Sequence, residues 1–209
     1  MSRTRSRAAT SLSSPSGPAL RPGKAELLAS KGKRLRDVIA PGLRVLFVGI
    51  NPGLYSAATG RHFARPGNRF WPALHAAGFT PRLLHPCEQK LLLGYGYGVT
   101  NLVNRATAAA DELLPEEFIR GRRLLATKVR RLRPSIVAFL GIAAYCHGFG
   151  VKQAALGPQP QPFEGARVWV LPNPSGLNAN YQLAALIRLF ISLRKAAVRS
   201  PQPQGSSCL

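Results

Sequence analysis

The sequence predicts an α/β fold, a three-layer α/β/α sandwich around a mostly parallel central sheet of four or five strands. Three observations carry that expectation. Short β-branched apolar runs at 44–50, 98–102, 136–140 and 167–171 read as buried strands. Segments with helical apolar spacing lie between and after them, as the crossovers of a parallel sheet require. The apolar fraction, 45% of 209 residues, suffices for one globular core even with a formal net charge of +21.

The elements follow in order. Residues 1–33 are rich in Ser, Arg, Pro and Gly with little periodicity, and are expected to form a disordered basic tail. A single domain then runs from 34 to 198. Its first strand, 44–50, is Arg-Val-Leu-Phe-Val-Gly-Ile. Residues 68–77 space Phe70, Leu74 and Ala77 as one helical face, and Gly78 closes it. A short helix is expected at 88–93 and the second strand at 98–102. The helix at 115–132 carries Pro115 in its first turn, Glu116 and Glu117 early, and Arg130, Arg131 and Arg133 late, a charge order that suits the helix dipole. The third strand, 136–140, precedes a helix at 143–149. The fourth, 167–171, precedes an amphipathic helix at 181–197. Residues 199–209 read as a second disordered tail.

The charge speaks about partners rather than fold. Nucleic acid leads, because Lys and Arg gain affinity by displacing counterions from phosphates; an anionic membrane surface is second. Cys87, Cys146 and Cys208 are odd in number and widely spaced, which argues against a disulfide framework, a zinc site or a cluster. No apolar run approaches the ~20 residues of a membrane helix, and the N-terminus lacks the apolar core of a secretory signal. The expected setting is the cytoplasm, around a bacterial nucleoid, or the nucleus of a eukaryote. The expected state is a monomer without cofactor or metal. The four histidines, His62, His75, His85 and His147, show no catalytic spacing and read as structural or exposed. Gly94-Tyr-Gly-Tyr-Gly98 lacks the Lys-Ser/Thr ending of a phosphate loop.

Two strand ends carry polar clusters: Asn51-Pro-Gly-Leu-Tyr-Ser56 after the first strand, and Asn173-Pro-Ser-Gly-Leu-Asn178 after the fourth. Sites in open α/β sheets form outside the carboxyl ends of strands. Either loop alone fits ordinary turn chemistry; two in one basic α/β protein favour a shared site. Phe63 lies among Arg61, His62 and Arg65, where an aromatic can stack on a base or plug the domain's rim.

Together, Gly49-Ile-Asn-Pro-Gly53, Thr59-Gly60, Gly67-Asn-Arg-Phe-Trp71, Gly98-Val-Thr100 and Asn173-Pro-Ser-Gly-Leu177 resemble the mismatch-specific uracil-DNA and thymine-DNA glycosylases of the uracil-DNA glycosylase superfamily. The resemblance runs from about Asp37 to Leu193. It implies a monofunctional DNA repair glycosylase that flips uracil, or thymine, out from opposite guanine and leaves an abasic site. By the same likeness Asn51 positions the attacking water, and Phe63 stacks on the flipped base. Ile50, Gly53, Ser56, Asn68 and Asn101 belong to the base pocket, and Tyr55 is bulkier than the small residue expected there. Asn173, Pro174, Ser175, Gly176, Leu177 and Asn178 form a strand-insertion loop, with Leu177 as the wedge and Asn178 facing the opposing guanine. Ala179 stands where an Arg often completes that wedge, which puts strict guanine specificity in doubt. An amide orients water well and activates it weakly, so slow turnover is expected. Two alternatives remain open: a broader deaminated-base glycosylase accepting hypoxanthine, xanthine or single-stranded uracil, and a catalytically silent nucleic-acid-binding protein.

Overall fold

The structure is a computed structural model that describes residues 21–198. Its sheet has five strands: β1 (Val45–Gly49), β2 (Tyr97–Asn101), β3 (Ile136–Leu140), β4 (Gly157–Pro158) and β5 (Arg167–Leu171), in the order β2-β1-β3-β5-β4. All neighbours pair in parallel except β4, which runs antiparallel to β5 at the edge. The expected α/β/α sandwich is therefore present.

Strand alternation sorts the side chains into two cores. Val45, Phe47, Val99, Ile136 and Ala138 face helices α3 (Phe70–Ala76) and α6 (Leu183–Val198), which contribute Phe70, Leu74, Leu186, Phe190 and Leu193. Leu46, Val48, Val137, Phe139, Val168 and Val170 face α4 (Pro115–Leu132) and α5 (Ile142–Phe149) through Phe118, Leu125, Val129 and Tyr145. Phe47 anchors the first core, meeting Phe70 edge-on at 5.4 Å and stacking on Phe190 at 6.0 Å. Because both faces are covered, the middle strands are apolar at nearly every position. That is why they read as continuous runs rather than alternating ones.

The element bounds follow the sequence closely for α4, β3 and β5, where apolar runs stop at turn residues. Three departures have local causes. First, α1 (Lys24–Leu28) lies inside the stretch expected to be a disordered tail. Glu26 accepts from the Gly23 amide at its start, and α1 contacts α2 (Leu54–Thr59). Gly32 and Lys33 exchange backbone hydrogen bonds with Ala106, so ordered chain begins before residue 33. The rest of that tail, 1–20, and the tail at 199–209 lie outside the described residues. Second, α2 occupies what read as a loop, with Gly53 extended ahead of it and Gly60 left-handed at φ 69 behind it. Third, β4 is two residues long, too short for periodicity to mark. Gly98 proves to be a packing glycine: an added Cβ would sit 2.8 Å from the Val38 carbonyl. Among the described residues no helix is long and apolar enough to cross a membrane.

Candidate active site

The carboxyl ends of β1, β2 and β5 open on one cavity of about 390 Å³, within the range of small-molecule sites. Parallel pairing brings Gly49 opposite Asn101, so the residues after β1 and β2 reach the same floor. β3 supplies Leu140 to the wall, and the segment after β5 closes the far side. Of the residues expected at the site, Ile50, Asn51, Gly53, Ser56, Phe63, Asn68 and Asn101 line the cavity from the β1–β2 side. Asn173, Ser175, Leu177 and Asn178 line it from the β5 side, whereas Pro174 and Gly176 do not. Pro174 is buried, and Gly176 packs so closely on Gly67 that a Cβ would lie 2.5 Å from its carbonyl oxygen.

Asn51 is held by one end only. Its Nδ2 donates to the Thr107 hydroxyl at 2.6 Å and the Arg105 carbonyl at 2.9 Å, with a long contact to the Pro52 carbonyl at 3.4 Å. These acceptors fix which amide atom is nitrogen. They leave Oδ1 without a partner among the described residues, as an acceptor at the cavity. Thr107 passes the bond on by donating to the Ala109 carbonyl at 2.6 Å. Arg105 is itself fixed by a two-pronged pair with Glu117, both contacts 2.7 Å. That guanidinium and the Leu114 amide hold the Glu117 carboxyl well below its usual range, at about 2.

Asn101 presents the opposite problem. It is buried at the end of β2, and its Nδ2 has no hydrogen-bond partner. A buried donor left unpaired costs about 1–3 kcal/mol, and no hydrogen bond fixes which end of this amide faces the cavity. Gly49 makes room for this amide: a Cβ there would meet Asn101 Oδ1 at 2.6 Å and the Phe63 ring at 3.3 Å. Phe63 is half-buried, adopts a left-handed backbone (φ 53), and stacks on Phe70 at 4.1 Å. It lines the cavity while one face of its ring rests on Phe70 and the core.

The remaining residues brace the loops. Asn68 Oδ1 accepts from the Phe70 amide at the start of α3. Ser56 is buried in α2 and accepts from the Ala64 amide. Asn173 Oδ1 accepts from the Ser175 amide. Asn178 spends both ends of its amide inside its own loop, donating to the Asn173 carbonyl and accepting from the Asn180 amide. Leu177, at the tip, is 72% exposed, the highest value among the large apolar side chains of the described residues.

No Asp or Glu lines the cavity, and no group of three His, Cys, Asp or Glu side chains among the described residues could hold a metal. Two polar wall residues escaped the sequence reading. Thr107 lies 56 positions from Asn51 and carries no local signal. His62, whose spacing gives only a structural or exposed reading, is buried in the wall. Its Nε2 faces the Arg36 carbonyl at 3.0 Å, which can only accept, so Nε2 carries the hydrogen. Burial pushes its pKa below the ordinary value, against that hydrogen bond and the attraction of Asp37, with Lys128 adding to the depression. A depressed histidine contributes stability above the unfolded value near 6.5 and loses it as pH falls toward the folded one. Melting temperatures at pH 7.5 and 5.5 should therefore show the wild type losing more on acidification than His62→Gln.

The family model described as "Uracil DNA glycosylase superfamily" matches residues 36–194. The solution NMR structure of a Methanosarcina acetivorans protein, provisionally named a uracil DNA glycosylase, is similar in fold at 16% identity and a TM-score of 0.50. The match covers 78% of this chain and 97% of that one.

Proposed function

Because the chain belongs to the uracil DNA glycosylase superfamily, we propose that it hydrolyses the N-glycosidic bond of uracil opposite guanine in duplex DNA. The product is free uracil and an abasic site. The observation that carries this reading is the Asn51 amide, tied down through Nδ2 and open through Oδ1 over a cavity without carboxylates. A glycosidase of the ordinary kind needs two carboxyl groups flanking the bond. Here one oriented acceptor is available, enough to hold a water in line with C1′ but not to take its proton early.

The reaction then rests on the leaving group. The C1′–N1 bond breaks with its electron pair going to the base, C1′ gains oxocarbenium character, and the oriented water adds with loss of its proton to solvent. Asn101 lines the cavity with no hydrogen bond fixing its amide, so turned with Nδ2 outward it donates to a carbonyl oxygen of the flipped pyrimidine, where charge collects as the base departs. Phe63 gives the ring a face to stack on. A target within the duplex must first be unstacked, and exposed Leu177 suits the vacated space. The guanidiniums of Arg61 and Arg65, which meet no carboxylate among the described residues, flank an adjoining cavity of about 490 Å³ and suit the phosphate backbone.

One observation favours the broader alternative. Asn178 ties both ends of its amide to its own loop and the Ala179 side chain has no donor, so neither side chain is dedicated to an opposing guanine. The test is single-turnover base release from G·U, G·T, A·U and single-stranded U substrates, with hypoxanthine and xanthine duplexes beside them. Release from G·U well above A·U supports the mismatch reading; equal release supports the broader one. A folded protein that binds DNA and releases nothing overturns both.

A further inference from the structure

We propose that Arg69 is the positioning residue of the insertion loop: its guanidinium holds the loop carbonyls in the shape that presents Leu177 to duplex DNA. This rests on the wedge reading given above. The side chain rises from the segment ahead of α3, and its Nη1 donates to the carbonyls of Asn178 at 2.9 Å, Tyr181 at 3.0 Å and Ser175 at 3.3 Å. Nη2 reaches Gln182 Oε1 at 3.2 Å, with a long contact to the Gly176 carbonyl at 3.5 Å. The Arg69 amide adds a hydrogen bond to the Pro174 carbonyl at 2.9 Å. The loop has no regular structure of its own before α6, and a planar fork of donors at its centre does for it what a ladder does for a strand.

Two features tie this clamp to the base pocket. Gly176 lies against Gly67 with no room for a side chain, so the loop tip and the 67–71 segment meet backbone to backbone. Phe70, the next residue after Arg69, stacks on Phe63. The residue that shapes the wedge and the one that supports the base-facing ring are thus adjacent in the chain. Arg69 does not line the cavity and acts through the loop.

A clamp and a phosphate contact make different predictions. Lysine keeps a point charge for phosphate but cannot span several carbonyls. A clamp matters where a partner strand must be displaced and a gap filled, so its loss falls on duplex substrate. Arg69→Lys and Arg69→Met should each slow single-turnover release from G·U duplex about ten- to hundredfold, the range of one or two charge-assisted hydrogen bonds. Release from single-stranded uracil should change less than about threefold. Adding Leu177→Ala to Arg69→Met should cost little more, since a misplaced wedge has little left to lose. Rescue by lysine, equal losses on both substrates, or full additivity with Leu177→Ala would overturn the clamp.

Hydrogen exchange separates this proposal from the activity itself. In Arg69→Met the amides of 175–181 should exchange faster while those of β5 stay protected, which also shows that the variant folds. If the wild type releases uracil from neither substrate, the glycosylase reading fails and the exchange result alone decides the clamp. Unchanged loop protection then overturns it.

Discussion

Asn51→Ala should lower single-turnover uracil release by about 10²–10⁴-fold, the range over which a positioned polar group assists a proton-coupled step, with little change in DNA binding. The reason is geometric. Every hydrogen bond of the Asn51 side chain runs through Nδ2, to Thr107 and Arg105 and more distantly to the Pro52 carbonyl, and none runs through Oδ1. Alanine removes the acceptor for water but no wall of the cavity, so a flipped base still fits. Residual rate should remain, because the leaving-group contacts survive. Thr107→Val separates orientation from presence. It keeps the amide and removes the hydroxyl that both accepts from Nδ2 and donates to Ala109. The loss should be smaller, near tenfold, the equivalent of one neutral hydrogen bond. A Thr107→Val rate equal to wild type would show that the amide orients itself, and an Asn51→Ala rate within a few fold of wild type would remove it from the chemistry.

How much of this was legible in the sequence depended on the kind of signal each residue leaves. Strands covered on both faces leave apolar runs, and α4 leaves a charge gradient with Pro115 at its start, so these were readable within a residue or so. Asn51 was readable because a lone polar residue ends such a run. Helix α2 was not, since Asn-Pro-Gly is turn chemistry and here also the lead-in to a helix. α1 was hidden in a segment whose composition suits disorder but whose order comes from tertiary contacts with α2 and Ala106. Thr107, His62 and Arg69 matter through partners 26 to 113 residues away in sequence, and no local pattern encodes such pairs. Asn178 shows the converse. Its place in the loop suggested a base-reading amide, while the structure uses both ends of that amide to hold the loop's own turns.

The second large effect is expected at a residue with no side chain. Gly49→Ala should reduce uracil release by about 10²–10³-fold, the cost of misplacing a donor aimed at developing charge. The backbone at Gly49 is ordinary β-strand, and its φ is not positive, so alanine introduces no conformational strain. The conflict is one of space. The new methyl would stand 2.6 Å from Asn101 Oδ1, which must shift, and 3.3 Å from the Phe63 ring, which must give by a few tenths of an ångström. Gly49 is the last residue of the interior strand β1, flanked by β2 and β3, so the backbone has little freedom to retreat. Asn101 and Phe63 face the cavity and can move, which carries the donor and the stacking face away together. Overpacking of this kind destabilises by about 1–3 kcal/mol, so melting temperature must be measured beside the rate. Asn101→Ala is the informative partner, because it removes the amide and makes room for the methyl. If Gly49→Ala acts by displacing Asn101, the double variant should be no slower than Asn101→Ala and should regain stability relative to Gly49→Ala. Additive losses in rate would place the damage at Phe63 instead, and an active Gly49→Ala would mean that the base is read without this amide.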